Sequence, residues 1–229
     1  MADPQNFRLR VFFVKAGRCA MLSHLEVARA LERAVRRANL PYAISQGFSP
    51  HMKISFGAAL PVGVGGTQEC FDLQMTRYSA PEAICEALRG ASVPDLMVQR
   101  CAFIGAKDPA ASAAYPVGTY EAVLSAVPTT LELPESISVI RKKKEKQLIL
   151  ADYLVGDIAT EKLSANDSLT EGVDPAVADA RFDSGARLTF SLVSRPMGSL
   201  RADILMAEIL KANPQVALKT LTRTAQRPE

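Results

Sequence analysis

Two histidines, one serine and a row of cations carry most of the chemistry this sequence could perform, and they fall within a single stretch, residues 22–63. His24 follows Ser23 in Ser23-His24-Leu25-Glu26, and His51 closes the run Ser45-Gln46-Gly47-Phe48-Ser49-Pro50-His51, with Lys53 two residues on. The first motif has the S-x-x-E form of a helix capping box. Unsatisfied amides at such a helix start favour anions, phosphate among them, and a histidine there adds a donor or moves a proton. In the second motif Gly47 permits a positive φ and Pro50 fixes its own, so the loop is expected to hold one shape. A fixed loop presenting Phe48, His51 and Lys53 suits a planar base beside a phosphate. The alternative is an ordinary connection with Phe48 turned into the core. His24 and His51 are also weak candidates for a metal-free acid–base pair cleaving RNA, although nothing in the spacing shows that they meet.

The capping box opens a helix expected to reach about Ala38 and to stop near Asn39-Leu40-Pro41, since proline cannot continue it. At about 100° per residue, Val27, Leu31, Ala34 and Ala38 gather on one side and Arg29, Arg33, Arg36 and Arg37 on the other. Glu32 lies four residues before Arg36 and answers part of that charge, whereas Arg29, Arg33 and Arg37 are spaced to follow a phosphate backbone. The proposed binding set is therefore Ser23, His24, Arg29, Arg33, Arg37, Ser45, Gln46, Gly47, Phe48, His51 and Lys53.

Net charge over the 229 residues is +3, too small to name a nucleic-acid partner by itself. Its distribution says more. Residues 1–60 hold nine Lys and Arg against three Asp and Glu, a surplus of six, so the remainder carries −3. Cys19, Cys70, Cys85 and Cys101 are scattered, with no C-x-x-C, which argues against a zinc or iron–sulfur site and for reduced thiols in the cytoplasm. No apolar run reaches the roughly 18 residues needed to cross a membrane. No cofactor or metal site is expected, and P-loop, G-x-G-x-x-G and G-x-S-x-G motifs are missing.

The pattern along the chain predicts strands at 7–14, 52–60, 68–76 and 96–104, a short strand at 42–45, and helices from 23 and over 80–90. The order β-α-β-β-α-β is that of a ferredoxin-like sandwich spanning residues 1–104. Residues 105–116 read as a linker. Residues 117–229 repeat the order in degraded form. Strand 118–127 leads into a poor helix at 129–137 broken by Pro134, then a hairpin of 137–141 with 147–156 around Lys142–Lys146. An irregular loop at 161–185, strand 186–194, helix 200–212 and strand 216–224 follow. The predicted class is α+β, two tandem ferredoxin-like sandwiches.

MLSHLEVAR at 21–29, RAVRRANLP at 33–41 and AISQGFSPHMKISFGAALPVG at 43–63 closely resemble the radical SAM-associated family of unknown function DUF2344. Ser49 stands where that family often has Asn, and Met52 where it often has Pro. In the second half the likeness thins to GSLRADIL at 198–205 and to Arg223, with Arg201-Ala202 in place of the usual Arg-Pro. The resemblance implies a bacterial accessory to a B12-binding radical SAM protein, without the cluster motif C-x-x-x-C-x-x-C. Three functions stay open: a non-catalytic protein that binds RNA or presents a phosphate-containing substrate, an adaptor docking a radical SAM enzyme, and a metal-independent ribonuclease using His24 and His51.

Overall fold

The computed structural model describes residues 7–141, 143–164, 185–195 and 198–229. The first strand, β1 (Phe7–Lys15), alternates. Leu9, Val11 and Phe13 point to an apolar core, while Arg8, Arg10 and Phe12 belong to the opposite face. Helix α1 (His24–Arg37) starts at the capping box, buries Val27, Leu31, Ala34 and Val35 against that core, and leaves Arg29, Arg33, Arg36 and Arg37 exposed. Strand β2 is only Ile54–Phe56, shorter than the predicted 52–60; Gly57 still gives its amide to the Cys70 carbonyl at 2.9 Å, and the chain bends away at residue 58. Strand β3 (Gly65–Met75), helix α2 (Pro81–Ala91) and strand β4 (Val98–Ile104) complete the half. The short strand predicted at 42–45 is two isolated bridges, Tyr42 to Met75 and Ile44 to Met52.

After the short helix α3 (Ala111–Ala114) come β5 (Val117–Leu124), β6 (Ser136–Arg141), β7 (Lys144–Ile149), β8 (Leu154–Leu163), β9 (Gly185–Arg195) and β10 (Gly198–Ser199). Helix α4 (Ala202–Lys211) and strand β11 (Leu218–Arg227) close the chain. The helix predicted at 129–137 does not form. Thr129 and Thr130 give their amides to Asn213 Oδ1 at 2.8 and 3.2 Å, and Pro134 follows, so the segment stays extended until β6. The hairpin is tighter than predicted. β6 and β7 pair from Ser136–Ile149 to Arg141–Lys144 and form a separate two-stranded sheet. The stretch predicted to be strand after residue 149 instead contains a 3₁₀ turn and then β8, which pairs with β9. Of the loop predicted at 161–185, residues 161–163 belong to β8, and 165–184 lie outside the described residues.

The result is a mixed α+β protein with one large, mostly antiparallel sheet and four α-helices among the described residues. Within it the strand order of the first half is β2-β3-β1-β4, and that of the second is β8-β9-β5-β11. Numbered among these four strands alone, leaving out β6, β7 and β10, both orders are 2-3-1-4. The halves meet where β11 pairs in parallel with β3, through Thr222–Gly65 and Arg223–Gly66. Residues 105–116 run back over the polar face of the first half. Arg8 Nη1 donates to the Asp108 carbonyl at 2.9 Å, Arg10 Nη2 to Pro109 O at 2.6 Å, and the Ala111 amide to Asp72 Oδ2 at 2.9 Å.

One ion pair sits at the seam. Arg223 is 4% exposed and Glu69 is 6% exposed. Arg223 Nε donates to Glu69 Oε1 at 2.9 Å, and Nη2 bonds both Glu69 Oε2 and, at 2.6 Å, the Ala58 carbonyl. Leu60 and Val64, contributed by the first half, pack in the core of the second. Removing one member leaves a buried charge unanswered, so Glu69→Gln or Arg223→Met should each lower unfolding free energy by about 3–5 kcal/mol, whereas the double replacement Glu69→Leu with Arg223→Met should recover most of it. Urea denaturation of the three variants checks this.

Candidate functional site

Loop 45–51 is braced from inside. The Ser45 amide donates to the His51 carbonyl at 2.8 Å, and Ser45 Oγ accepts the His51 amide at 3.1 Å and lies 2.9 Å from His51 Nδ1. His51 Nδ1 is also 3.2 Å from the Ser49 carbonyl. Both contacts engage Nδ1, the ring nitrogen that faces back into the loop. Among the described residues nothing hydrogen-bonds Nε2. Gly47 takes φ +137°, in the region that disfavours side chains, as the sequence anticipates. Phe48, next in the chain, is 110% exposed. Phe48 therefore does not pack into the core. Gln46 is exposed beside it. Lys53 leaves the loop through its amide on the Ala43 carbonyl, and its side chain lines an open cleft with Arg8, Ser55, Asp72 and Gln74.

His24 occupies different surroundings. Its ring stands edge-on to Phe56, centroids 5.5 Å apart, in a cleft lined by Phe13, Lys15, Gly57, Leu60, Glu69 and Cys70. Loop 45–51 supplies none of the residues that line this cleft. The two imidazoles have no common contact, and no acid–base pair is assembled. Ser23 is committed locally: its amide and Oγ both donate to Glu26 Oε2, at 2.8 and 2.7 Å. Those bonds hold the Glu26 carboxyl below the usual carboxylate range, so the anion at this helix start is the chain's own. The arginine row divides. Arg33 and Arg37 line a groove with Ser92, Val93 and Leu96, Arg37 donates to the Ala91 carbonyl, and Arg36 pairs with Glu32 at 3.2 Å. Arg29 stays exposed near Glu26.

The site readings from sequence overlook the buried charges beside His24. Lys15 is 2% exposed, and its ammonium donates to the Pro61 and Val64 carbonyls at 3.2 and 3.1 Å. Burial pushes its pKa down, opposed by Glu69. Across the sheet, Asp72 takes Arg10 Nε at 2.7 Å and Nη2 at 3.0 Å. The available signal was a charge inside an apolar strand: Arg10 in FRLRVFFVK, Glu69 and Asp72 in GGTQECFDLQM. Burial also raises the Cys70 thiol to about 11 and that of Cys101 to about 12. No group of three or more His, Cys, Asp or Glu among the described residues could hold a metal, and no helix there is long and apolar enough to cross a membrane.

Fold and site together define a mixed α+β protein with an exposed aromatic loop and a buried charged seam. Residues 8–178 match DUF2344, described as an uncharacterized protein conserved in bacteria, and the chain belongs to that family. No curated protein matches. A crystal structure of an unknown protein from Galdieria sulphuraria is similar over 93% of this chain and 98% of its own, at 10% identity and a TM-score of 0.25, a level that carries no argument.

Two outcomes follow from these titrations. A lysine whose folded pKa lies below its unfolded value, about 10.4, makes the unfolded chain bind more protons between the two, so stability rises with pH across that interval. Lys15→Met should remove this component, visible as a smaller gain in urea midpoint from pH 8 to 10.5 relative to wild type. Thiol reagent at pH 8 should leave Cys70 and Cys101 unmodified in the folded protein and label both once urea unfolds it, read by peptide mass.

Proposed function

We propose that this chain is a non-catalytic binding protein that presents loop 45–51 to single-stranded RNA, as an accessory to a B12-binding radical SAM enzyme. One observation carries the RNA reading: Phe48 is wholly exposed on a loop that Ser45 and His51 brace. Leaving an aromatic ring in water forgoes about 1.5–3 kcal/mol of burial, and a base face is a partner that recovers it without demanding sequence. His51 Nε2 and the exposed Lys53 ammonium stand on the same segment, offering a ring nitrogen to hydrogen-bond a base edge and a charge for a phosphate. The arginines of α1 are not part of this contact, since Arg33 and Arg37 line a different groove.

The accessory role and the radical SAM partner rest on the motifs of residues 21–63, and the four free cysteines suit a cytoplasmic setting. The strand order shared by the two halves supports reading them as tandem ferredoxin-like units, residues 1–104 and 117–229 joined by 105–116, with the β6–β7 hairpin standing where the second unit would carry its first helix.

Fluorescence polarisation with a labelled 12-nucleotide single-stranded RNA tests the reading. Wild type should bind with a marked salt dependence. Phe48→Ala should weaken binding about tenfold, within the roughly 1–3 kcal/mol of a stacked base. Lys53→Ala should flatten the salt slope by about one. Absence of salt-dependent binding by wild type rejects it. Capture of the radical SAM partner that is lost in Phe48→Ala, with no RNA binding, would move the loop to the adaptor role.

A further inference from the structure

β11 is longer than its neighbour allows. On one side it pairs with β5 from Leu218 to Arg227, but on the other β3 begins only at Gly65, opposite Thr222. Among the described residues, no residue of Leu218–Leu221 is in register with a strand on that side. The result is a notch inside a large sheet, where alternate residues of β11 turn their amides and carbonyls toward a side that β3 does not reach. A groove opens there, its opposite wall formed by Gly17, Arg18, Met21 and Gly63. It is continuous with exposed apolar surface: Met21 is 64% exposed and Val62 55%, held close by the Gly63 amide on the Ala20 carbonyl at 2.9 Å. Two cations flank it, Arg18 and Lys219. Both are exposed, and no acidic group among the described residues pairs with either side chain.

We propose that this notch is a docking site for an extended, acidic segment of a partner protein, which adds as a short strand to β11 where β3 is missing. The occupant follows from the walls. Unpaired strand backbone is answered by extended backbone, the alternate side chains of such a segment fall toward Met21 and Val62, and carboxylates on the others meet Arg18 and Lys219. The site is separate from loop 45–51 and does not depend on the RNA reading.

The probe is a fluorescein-labelled peptide, Val-Glu-Val-Glu-Val-Glu, with Val-Lys-Val-Lys-Val-Lys as its counterpart, titrated with the full chain. The acidic peptide should bind and the basic one should not. The exchange Arg18→Glu with Lys219→Glu changes only exposed side chains. It should weaken the acidic peptide at least tenfold and confer binding of the basic one. Amide hydrogen exchange should slow at residues 218–221 when the peptide is present, and Phe48→Ala should leave peptide affinity unchanged. No binding by wild type, binding indifferent to the charge reversal, or no added protection at 218–221 overturns the proposal. So does displacement of the acidic peptide by an eight-nucleotide oligo(U), which would mark a polyanion site instead.

Discussion

The Arg223–Glu69 pair is the contact on which the arrangement of the two halves depends. It joins residues 154 apart in sequence, at the place where β11 and β3 share only two paired positions. Two paired positions are a thin ladder, so side chains must supply the rest of the junction. A buried guanidinium and carboxylate do so with direction as well as attraction, because each bond they form is tied to one geometry. Hydrophobic contact alone would hold the halves together without fixing their register. The same guanidinium takes the Ala58 carbonyl, so the pair also anchors residues 57–64, where the first half sends Leu60 and Val64 into the second core.

Lys15 works on the same segment from the other side. Its ammonium holds the Pro61 and Val64 carbonyls, so cations from the first strand and the last grip one loop. That loop forms a wall of the His24 cleft, and Gly63 within it forms part of the notch beside β11. On the polar face of the sheet Arg8, Arg10 and Asp72 do comparable work, pinning the segment between the halves by its carbonyls and the Ala111 amide. These charges are spent on architecture. Lys53 on one surface, and Arg18 with Lys219 on another, are among the charges left to solvent.

Much of the first half was legible because its signals are local. The capping box of Ser23 and Glu26, the buried stripe of α1 and the stop before Pro41 all appear as the sequence implies, since each depends on residues within a few positions of one another. The loop was legible for the same reason: Gly47 permits the positive φ found there, and Pro50 fixes its own φ, wherever such residues occur. The second half read less well. The helix predicted at 129–137 lost to a tertiary partner, Asn213, which takes the Thr129 and Thr130 amides from 83 residues away or more. The run of lysines at 142–146 marked the hairpin but not its length, because that length is fixed by pairing on both strands.

The sequence by itself determined where helices start, which face of α1 is apolar, and that residues 45–51 form a constrained loop, because these follow from short-range sterics, hydrogen bonding and periodicity. Only the tertiary structure decided that Phe48 is exposed, that His24 and His51 stand in separate surroundings, and that Lys15, Glu69 and Arg223 meet at a seam. Those outcomes depend on which distant strands pair, and pairing is settled by the burial of whole faces rather than by any one segment.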